Sequence, residues 1–295
     1  MYASVTAVQS PKRRKRSQLA EIWRRYRKNK LAMLGLIVFL AMAALAILVS
    51  IFGNYESAIE QTMQMRYLPP SLEHLFGTDQ YGRDIFMRML FGARISLFVG
   101  LIAVAISLSA GALIGAVAGY YGGRVDDIFM RIMDIFLAIP STLLAISIVA
   151  ALGTNLLNLL LAMAISYMPS FARIVRSSIL TVKSQEYIEA ARACGTSTFR
   201  IILRHIIPNA MGPIIVQATL TVARIILGIS SLSFVGLGIQ PPTPEWGTML
   251  SEGQSQMRYH PYLILIPGAA IALAVMALNL IGDGLRDALD PRLKN

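Results

Sequence analysis

The chain has 295 residues, of which 55% are apolar and 15% charged; its mean hydropathy is +0.59 and its formal net charge is +11. Such values lie outside the usual range of soluble domains and predict a membrane protein surrounded by lipid. The single cysteine, Cys194, excludes an internal disulfide.

Five runs of apolar residues predict six membrane-spanning helices. In chain order they are Leu31–Phe52, Ile95–Tyr121, Ile135–Ala172, Ile206–Gly238 and Tyr259–Gly282. The first run, at about 1.5 Å per helical residue, is about 33 Å long and matches a hydrocarbon core. The third has 38 residues without a charge, enough for two spans joined near Gly153, Thr154 and Asn155. Only Arg224 interrupts the fourth run, which we interpret as one span.

Basic residues predict which side of the membrane each connecting segment occupies. With six spans, 21 of the 27 Lys and Arg residues fall in segments on one side, which the positive-inside rule assigns to the cytosol. Both termini are therefore expected to be cytosolic. The predicted divisions are a basic cytosolic segment (1–30), a first span (31–52), an extracytoplasmic segment (53–92), a core with spans two to six and a polar loop at 186–208 (93–283), and a cytosolic tail (284–295).

The basic run Lys12–Arg16 would suit nucleic acid in a soluble protein. Beside a 22-residue apolar span it is better explained as a topological signal, so no nucleic-acid partner is expected. The lipid bilayer is the expected surrounding.

Small and charged residues within the spans suggest places where protein contacts protein. Ser107, Gly111 and Gly115 repeat every four residues, which allows another backbone to approach closely. That backbone belongs either to this subunit or to a second membrane subunit around a pathway. Arg224 lies near the middle of the predicted fifth span. An arginine at that depth faces a pathway or a subunit interface, or it forms a buried ion pair.

Several catalytic and nucleotide-binding motifs are absent from the sequence. There is no Gly-Lys pair, and therefore no P-loop for ATP, and neither an HExxH nor a GxSxG pattern occurs. The three histidines lie in separate segments without paired ligand spacing. We therefore expect a chain that is not an enzyme and binds no cofactor or metal, and that receives any energy coupling from a partner.

The polar segment Glu186–Pro208 separates two apolar regions on the predicted cytosolic side. A first helix over Gln185–Cys194 is expected to stop at Gly195 in the left-handed conformation. Thr196 or Ser197 would cap a second, amphipathic helix ending at Pro208. Its apolar stripe is expected to contain Phe199, Ile202, Leu203 and Ile206, with Arg200 and Arg204 opposite. The alternative is a connector lying on the lipid surface.

The triplet Glu189-Ala190-Ala191, followed by Gly195 and Ile207-Pro208, resembles the EAA loop of ATP-binding cassette importer permeases. His205 departs from the general pattern but is similar to the peptide and nickel branch. Five longer motifs are similar to the C-type permease of that branch: Gly77–Asp84, Gly92–Leu97, Met130–Asp134, Gln240–Gly247 and Gly282–Pro291.

This resemblance implies a heterodimer with a homologous second permease in a bacterial inner membrane. It also implies two cytosolic ATPases, which would bind ATP and Mg²⁺, and an extracytoplasmic substrate-binding protein. Di- or oligopeptides are the expected substrates, with nickel chelates or glutathione-like peptides as alternatives. A self-contained channel or ion-coupled carrier is the competing class.

The resemblance also assigns roles to residues. The loop is expected to form a coupling helix that docks on an ATPase through Glu186, Glu189, Ala190, Ala191, Gly195, Phe199, Arg200 and Pro208. The outer segments offer a docking surface for the binding protein, with Asp79, Arg83, Asp84, Glu245 and Trp246 as candidates. Alternatively, Pro241, Pro242 and Pro244 only shape the chain's return to the sixth span.

Overall fold

The computed structural model describes residues 18–289, which are helical apart from loops and one isolated β-bridge between Thr78 and Asp84. The helices are α1 (Gln18–Tyr26), α2 (Lys30–Phe52), α3 (Glu56–Ile59), α4 (Ile85–Tyr121), α5 (Gly123–Leu137), α6 (Ser141–Leu152), α7 (Leu156–Lys183), α8 (Glu186–Ala193), α9 (Thr198–Ile201), α10 (Ile207–Phe234), α11 (Trp246–Gly253) and α12 (Tyr262–Leu289). A π-helical turn at Ile202–Ile206 joins α9 to α10, and 3-10 turns lie at Met63–Met65 and Gln254–Gln256.

Five helices within residues 18–289 are long and apolar enough to cross a membrane: α2, α4, α7, the joined helix Thr198–Phe234, and α12. A sixth crossing arises if α5 and α6, which bend by 84° at a short break, count as one span. The break lies at Pro140, whose ring cannot continue the preceding helix. The predicted turn near Gly153 is confirmed, because α6 ends at Leu152 and α7 begins at Leu156.

Helix α4 begins ten residues before the predicted start of the second span at Ile95. Asp84 caps it by accepting a hydrogen bond from the Met87 backbone N–H at 2.9 Å. Arg88, in the first turn of this helix, is 1% exposed and paired with carboxylates. An arginine neutralised in this way does not end a helix, so the connection between α2 and α4 is shorter than its charges indicated.

The small-residue stripe packs within this one chain, against α7. Ser107 Oγ donates a hydrogen bond to the Ala164 carbonyl oxygen at 3.0 Å. A Cβ atom on Gly111 would lie 2.6 Å from the Phe171 Cβ, and one on Gly115 only 2.4 Å from a backbone oxygen of α7. These contacts favour the packing alternative. Ser107, Gly111 and Gly115 therefore do not face a second subunit or a pathway in this structure.

We expect Gly115→Ala to destabilise the α4–α7 contact by about 1–3 kcal/mol, because the new methyl group overlaps a backbone oxygen that has little room to move. Thermal unfolding of the detergent-purified protein measures this loss. Gly119→Ala is the matched control, since its Cβ would lie 3.1 Å from its nearest neighbour. Equal stability of the two variants would contradict the packing assignment.

Charged residues link α5 to α7 at the end of the bundle that carries α8, here named the α8 end. The Arg176 guanidinium donates two hydrogen bonds to the Asp126 carboxylate, and Arg173 pairs with Asp134 at 2.7 Å. Both acids of α5 thus bond to arginines of the neighbouring helix. The arrangement fits a charge network at a helix end.

Candidate functional site

The polar loop at the α8 end contains a short helix that stops at a glycine. Helix α8 ends in a Schellman motif: the Gly195 N–H donates to the Arg192 carbonyl at 2.9 Å, and the Thr196 N–H donates to the Ala191 carbonyl at 3.1 Å. Gly195 has φ +74°, the left-handed conformation predicted for it. A Cβ atom there would meet nothing within 4 Å, so only the backbone conformation requires glycine.

The loop attaches to the bundle through buried isoleucines on both sides of this turn. Ile188, Ile201 and Ile206 are at most 1% exposed and form one cluster with residues of the last turns of α7, including Ile179 and Val182. Tyr120 at the end of α4 adds polar contacts. Its hydroxyl donates to Thr198 Oγ1 at 3.1 Å, and Lys183 Nζ donates to its carbonyl oxygen. The loop is thus fixed to two long helices.

The surface that remains open on this loop is formed by residues predicted for ATPase docking. Those exposed are Glu186, Glu189, Ala190, Gly195, Phe199, Arg200 and Pro208, while Ala191 is half-buried. Glu186 and Glu189 lie in the first turn of α8, where their charge complements the helix dipole. The loop therefore presents an exposed surface with acidic, basic, small and aromatic side chains.

Two details of the predicted second helix were wrong. Phe199 is 73% exposed and does not belong to the buried stripe, whose place Ile201 takes. The helix also does not end at Pro208 but continues into α10. The π turn explains why, because the Ile207 N–H bonds to the Ile202 carbonyl, and this wider turn accommodates the proline that follows.

At the opposite end of the bundle, here named the α11 end, two arginines and two carboxylates form a buried ion cluster. Arg83 Nε and Arg88 Nη1 donate to Asp79 Oδ2 at 2.6 and 3.1 Å. Arg83 Nη2 and Arg88 Nη2 donate to the two oxygens of Glu252 at 2.9 and 2.6 Å. The cluster joins the start of α4 to the end of α11, which lie far apart in sequence.

Burial raises the pKa of the Glu252 carboxyl, against the opposing effect of the Arg83 charge and hydrogen bond. The folded chain therefore holds this proton more tightly than the unfolded chain does. Across the interval between its unfolded and folded pKa, the contribution of Glu252 to stability falls as the pH rises. Loss of the Glu252 charge should accordingly destabilise the protein less than loss of an arginine of the cluster.

This burial corrects the predicted docking surface at the α11 end. Asp79 is 6% exposed and Arg83 1% exposed, so both bind within the chain. Asp84 is half-buried, where it caps α4 and contacts His74 Nδ1 at 2.8 Å. Side chains engaged in this way connect parts of the same chain rather than offering contacts to another protein.

Glu245 and Trp246 are also buried, at 0% and 1% exposure. Glu245 caps α11 by accepting from the Thr248 N–H at 2.9 Å and also accepts from Ser96 Oγ at 3.0 Å. The Trp246 indole N–H donates to the Met89 carbonyl at 3.0 Å, and its ring packs on Gly92. These contacts favour the alternative in which the proline-rich segment shapes the return of the chain to its last span.

Arg224 lies within the joined helix Thr198–Phe234, and its side chain is exposed on the surface of the chain. No Asp or Glu among residues 18–289 lies within 4 Å of its guanidinium. Within these residues Arg224 therefore forms no ion pair. Of the predicted interface candidates, Arg224 alone faces outward.

Long apolar helices around an internal core, with one polar loop fixed to two of them, are the architecture of a multi-pass membrane permease. Residues 111–295 match the family model described as binding-protein-dependent transport system inner membrane component. Residues 17–70 match the N-terminal TM domain of oligopeptide transport permease C. The chain belongs to this family of inner membrane components of binding-protein-dependent transport systems.

Curated relatives cover most of the chain. It is 48% identical over 275 residues to the dipeptide transport system permease protein DppC of Alkalihalophilus pseudofirmus, covering 93% of this chain and 90% of the relative. It is 43% identical to the oligopeptide transport system permease protein OppC of Bacillus subtilis, with 92% and 88% covered. It is 45% identical to the glutathione transport system permease protein GsiD of Escherichia coli, with 93% and 90% covered.

A solved structure shares the fold. A chain of the MetNI methionine ABC transporter, in inward facing conformations, superposes with a TM-score of 0.58 at 17% identity, covering 69% of this chain and 96% of that chain. The chain is thus a multi-pass inner-membrane permease of an ABC importer, and a self-contained carrier is the wrong class. Permeases of this family work with separate ATPases and substrate-binding proteins.

Proposed function

We propose that this chain is the C-type permease subunit of an importer for di- or oligopeptides. The observation that carries this proposal is the identity of 43–48% to relatives named as dipeptide and oligopeptide permeases, over more than nine-tenths of the chain. The chain would form half of the translocation pathway, with a homologous second permease forming the other half. ATP and Mg²⁺ would bind to the ATPases and not to this chain.

The loop of α8 and α9 is the proposed coupling element on the cytosolic side. Its exposed surface, with Glu186, Glu189 and Phe199, would enter a groove on an ATPase subunit. Its buried side rests on α7, and its second helix is continuous with α10. Movement of the ATPase would therefore shift α7 and α10 directly, because no flexible linker separates them from the loop.

The α11 end is the proposed outer side, which would receive the substrate-binding protein. Because the ion cluster and Trp246 are internal, the contact surface would consist of exposed residues around them. Leu72, Met257 and Tyr259 are 99%, 57% and 74% exposed, and Pro241 and Pro242 are exposed nearby. The ion cluster would give this surface a rigid base.

Uptake of labelled dipeptide into cells lacking their own peptide importers tests the proposal, with this chain expressed together with its second permease, ATPases and binding protein. We expect ATP-dependent accumulation that disappears when the gene for this chain is removed. A matched strain with an ATPase unable to hydrolyse ATP is the control. Uptake that persists without this chain would refute the assignment.

Glutathione is the second candidate substrate, because a relative named as a glutathione permease is 45% identical over a similar share of the chain. The two candidates separate in the same assay. Accumulation of labelled glutathione without accumulation of dipeptide would assign the chain to glutathione import.

A further inference from the structure

One face of α10 carries polar side chains at regular spacing inside a spanning helix. Gln217, Arg224 and Ser231 follow one another at seven-residue intervals, two helical turns, which places them on one face. Arg224 and Ser231 are exposed and Gln217 is half-buried. A helix face turned toward lipid would be apolar, so this stripe indicates contact with water, substrate or protein.

Arg224 lies inside α10 rather than at its end. Ten residues separate it from the end of α10 at Phe234, about 15 Å at about 1.5 Å per residue. No acid among residues 18–289 pairs with the guanidinium, so any counter-charge must come from outside those residues.

An apolar groove begins one turn beyond Arg224 on the same face. Its walls include Leu227, Ser231 and Phe234 of α10 with Leu250 of α11 and Val275 of α12, and its volume is about 600 Å³. That volume is within the usual range of small-molecule sites. Leu227 is 51% exposed and lies three residues after Arg224 along α10.

We propose that Arg224 and this groove form a peptide-binding site in the translocation pathway. The guanidinium pairs with the C-terminal carboxylate of the passing peptide, and the groove receives an apolar side chain of that peptide. Arginine suits this task because its planar fork binds a carboxylate through two parallel hydrogen bonds. The inference deepens the proposed function and rests on it, because it requires that the cargo is a peptide.

The test compares a dipeptide with its C-terminal amide in proteoliposomes that contain the complete importer. Both peptides are supplied with saturating binding protein, and the ratio of their initial uptake rates is measured. Since every variant uses the same binding protein, a change in this ratio reports on the permease. We expect Arg224→Gln to reduce the carboxylate preference roughly tenfold, the size of one lost charge-assisted contact. Arg224→Lys should keep part of the preference.

The control variant is Arg27→Gln, which removes an exposed arginine outside the spans and should leave the ratio unchanged. ATP hydrolysis stimulated by the binding protein should stay near the wild-type rate in both variants. An unchanged ratio in Arg224→Gln, with normal uptake, would overturn the proposal. Failure of Arg224→Gln to assemble with the second permease would overturn it too, because it would assign the arginine to an ion pair between subunits.

The wild-type importer separates this inference from the proposed function. If it accumulates neither peptide while its ATPase responds to the binding protein, the peptide substrate itself is wrong, and the carboxylate site falls with it. If the wild-type importer accumulates the dipeptide and its amide equally well, the importer assignment stands and only the binding site at Arg224 is refuted.

Discussion

Replacing Gly195 by valine is expected to reduce ATP-driven uptake roughly tenfold or more while the protein remains in the membrane. The left-handed conformation at this residue costs a non-glycine residue about 1–2 kcal/mol, and more for a β-branched side chain. No neighbour lies within 4 Å of the new Cβ position, so the variant changes the turn rather than the core. Initial uptake rates per amount of membrane-inserted protein measure the effect.

Gly195→Asn is the matched control, because asparagine adopts the left-handed conformation more readily than other non-glycine residues. We expect it to retain most of the uptake. ATP hydrolysis by the valine variant should continue without stimulation by substrate and binding protein. Normal stimulated hydrolysis and normal uptake in Gly195→Val would show that the angle between α8 and α9 does not serve coupling.

The sequence predicted the features that depend on local patterns. A run of apolar residues predicts a span wherever it occurs, and an alanine-rich helix before a glycine predicts a left-handed stop. The turn at Gly195 and the break near Gly153 followed from this, and both are present. The exposure of Glu189 also agrees with the prediction that the loop is open to a partner.

The features that failed depend on contacts between distant segments. Asp79 and Glu252 are 173 positions apart, and nothing near either residue indicates that two arginines lie between them. Charged residues in an outer loop were therefore interpreted as exposed. The burial of Trp246 was not predicted for the same reason, because its hydrogen-bond partner, Met89, belongs to another helix. The four-residue spacing of Asp79 and Arg83 gave no signal either, because the i,i+4 rule applies to helices and these residues lie in a turn before α4.

The two ends of the bundle differ in how they hold their connecting segments. At the α8 end, isoleucines attach the loop and leave its polar residues exposed. At the α11 end, charged residues hold the segment from inside and leave apolar residues such as Leu72 at the surface. Apolar contacts tolerate small shifts better than a hydrogen-bonded ion cluster does. We therefore expect movement during transport to concentrate at the α8 end.

Arg88→Met is expected to destabilise the protein by about 3–5 kcal/mol, because it leaves two buried carboxylates with one arginine between them. Thermal unfolding of the purified protein measures this loss. The readout is the fraction of protein that remains monodisperse as the temperature rises. Glu252→Gln should cost less, since burial already raises the pKa of that carboxyl and the amide keeps an acceptor oxygen.

The double variant Arg88→Met with Glu252→Met distinguishes charge imbalance from loss of packing. It removes one charge of each sign and leaves the pair of Asp79 and Arg83 intact at 2.6 Å. If uncompensated charge dominates the cost, the double variant is more stable than Arg88→Met alone, although it carries one more substitution. If the two losses simply add, the cluster stabilises the α11 end through individual contacts, and the coupling between its arginines and carboxylates is absent.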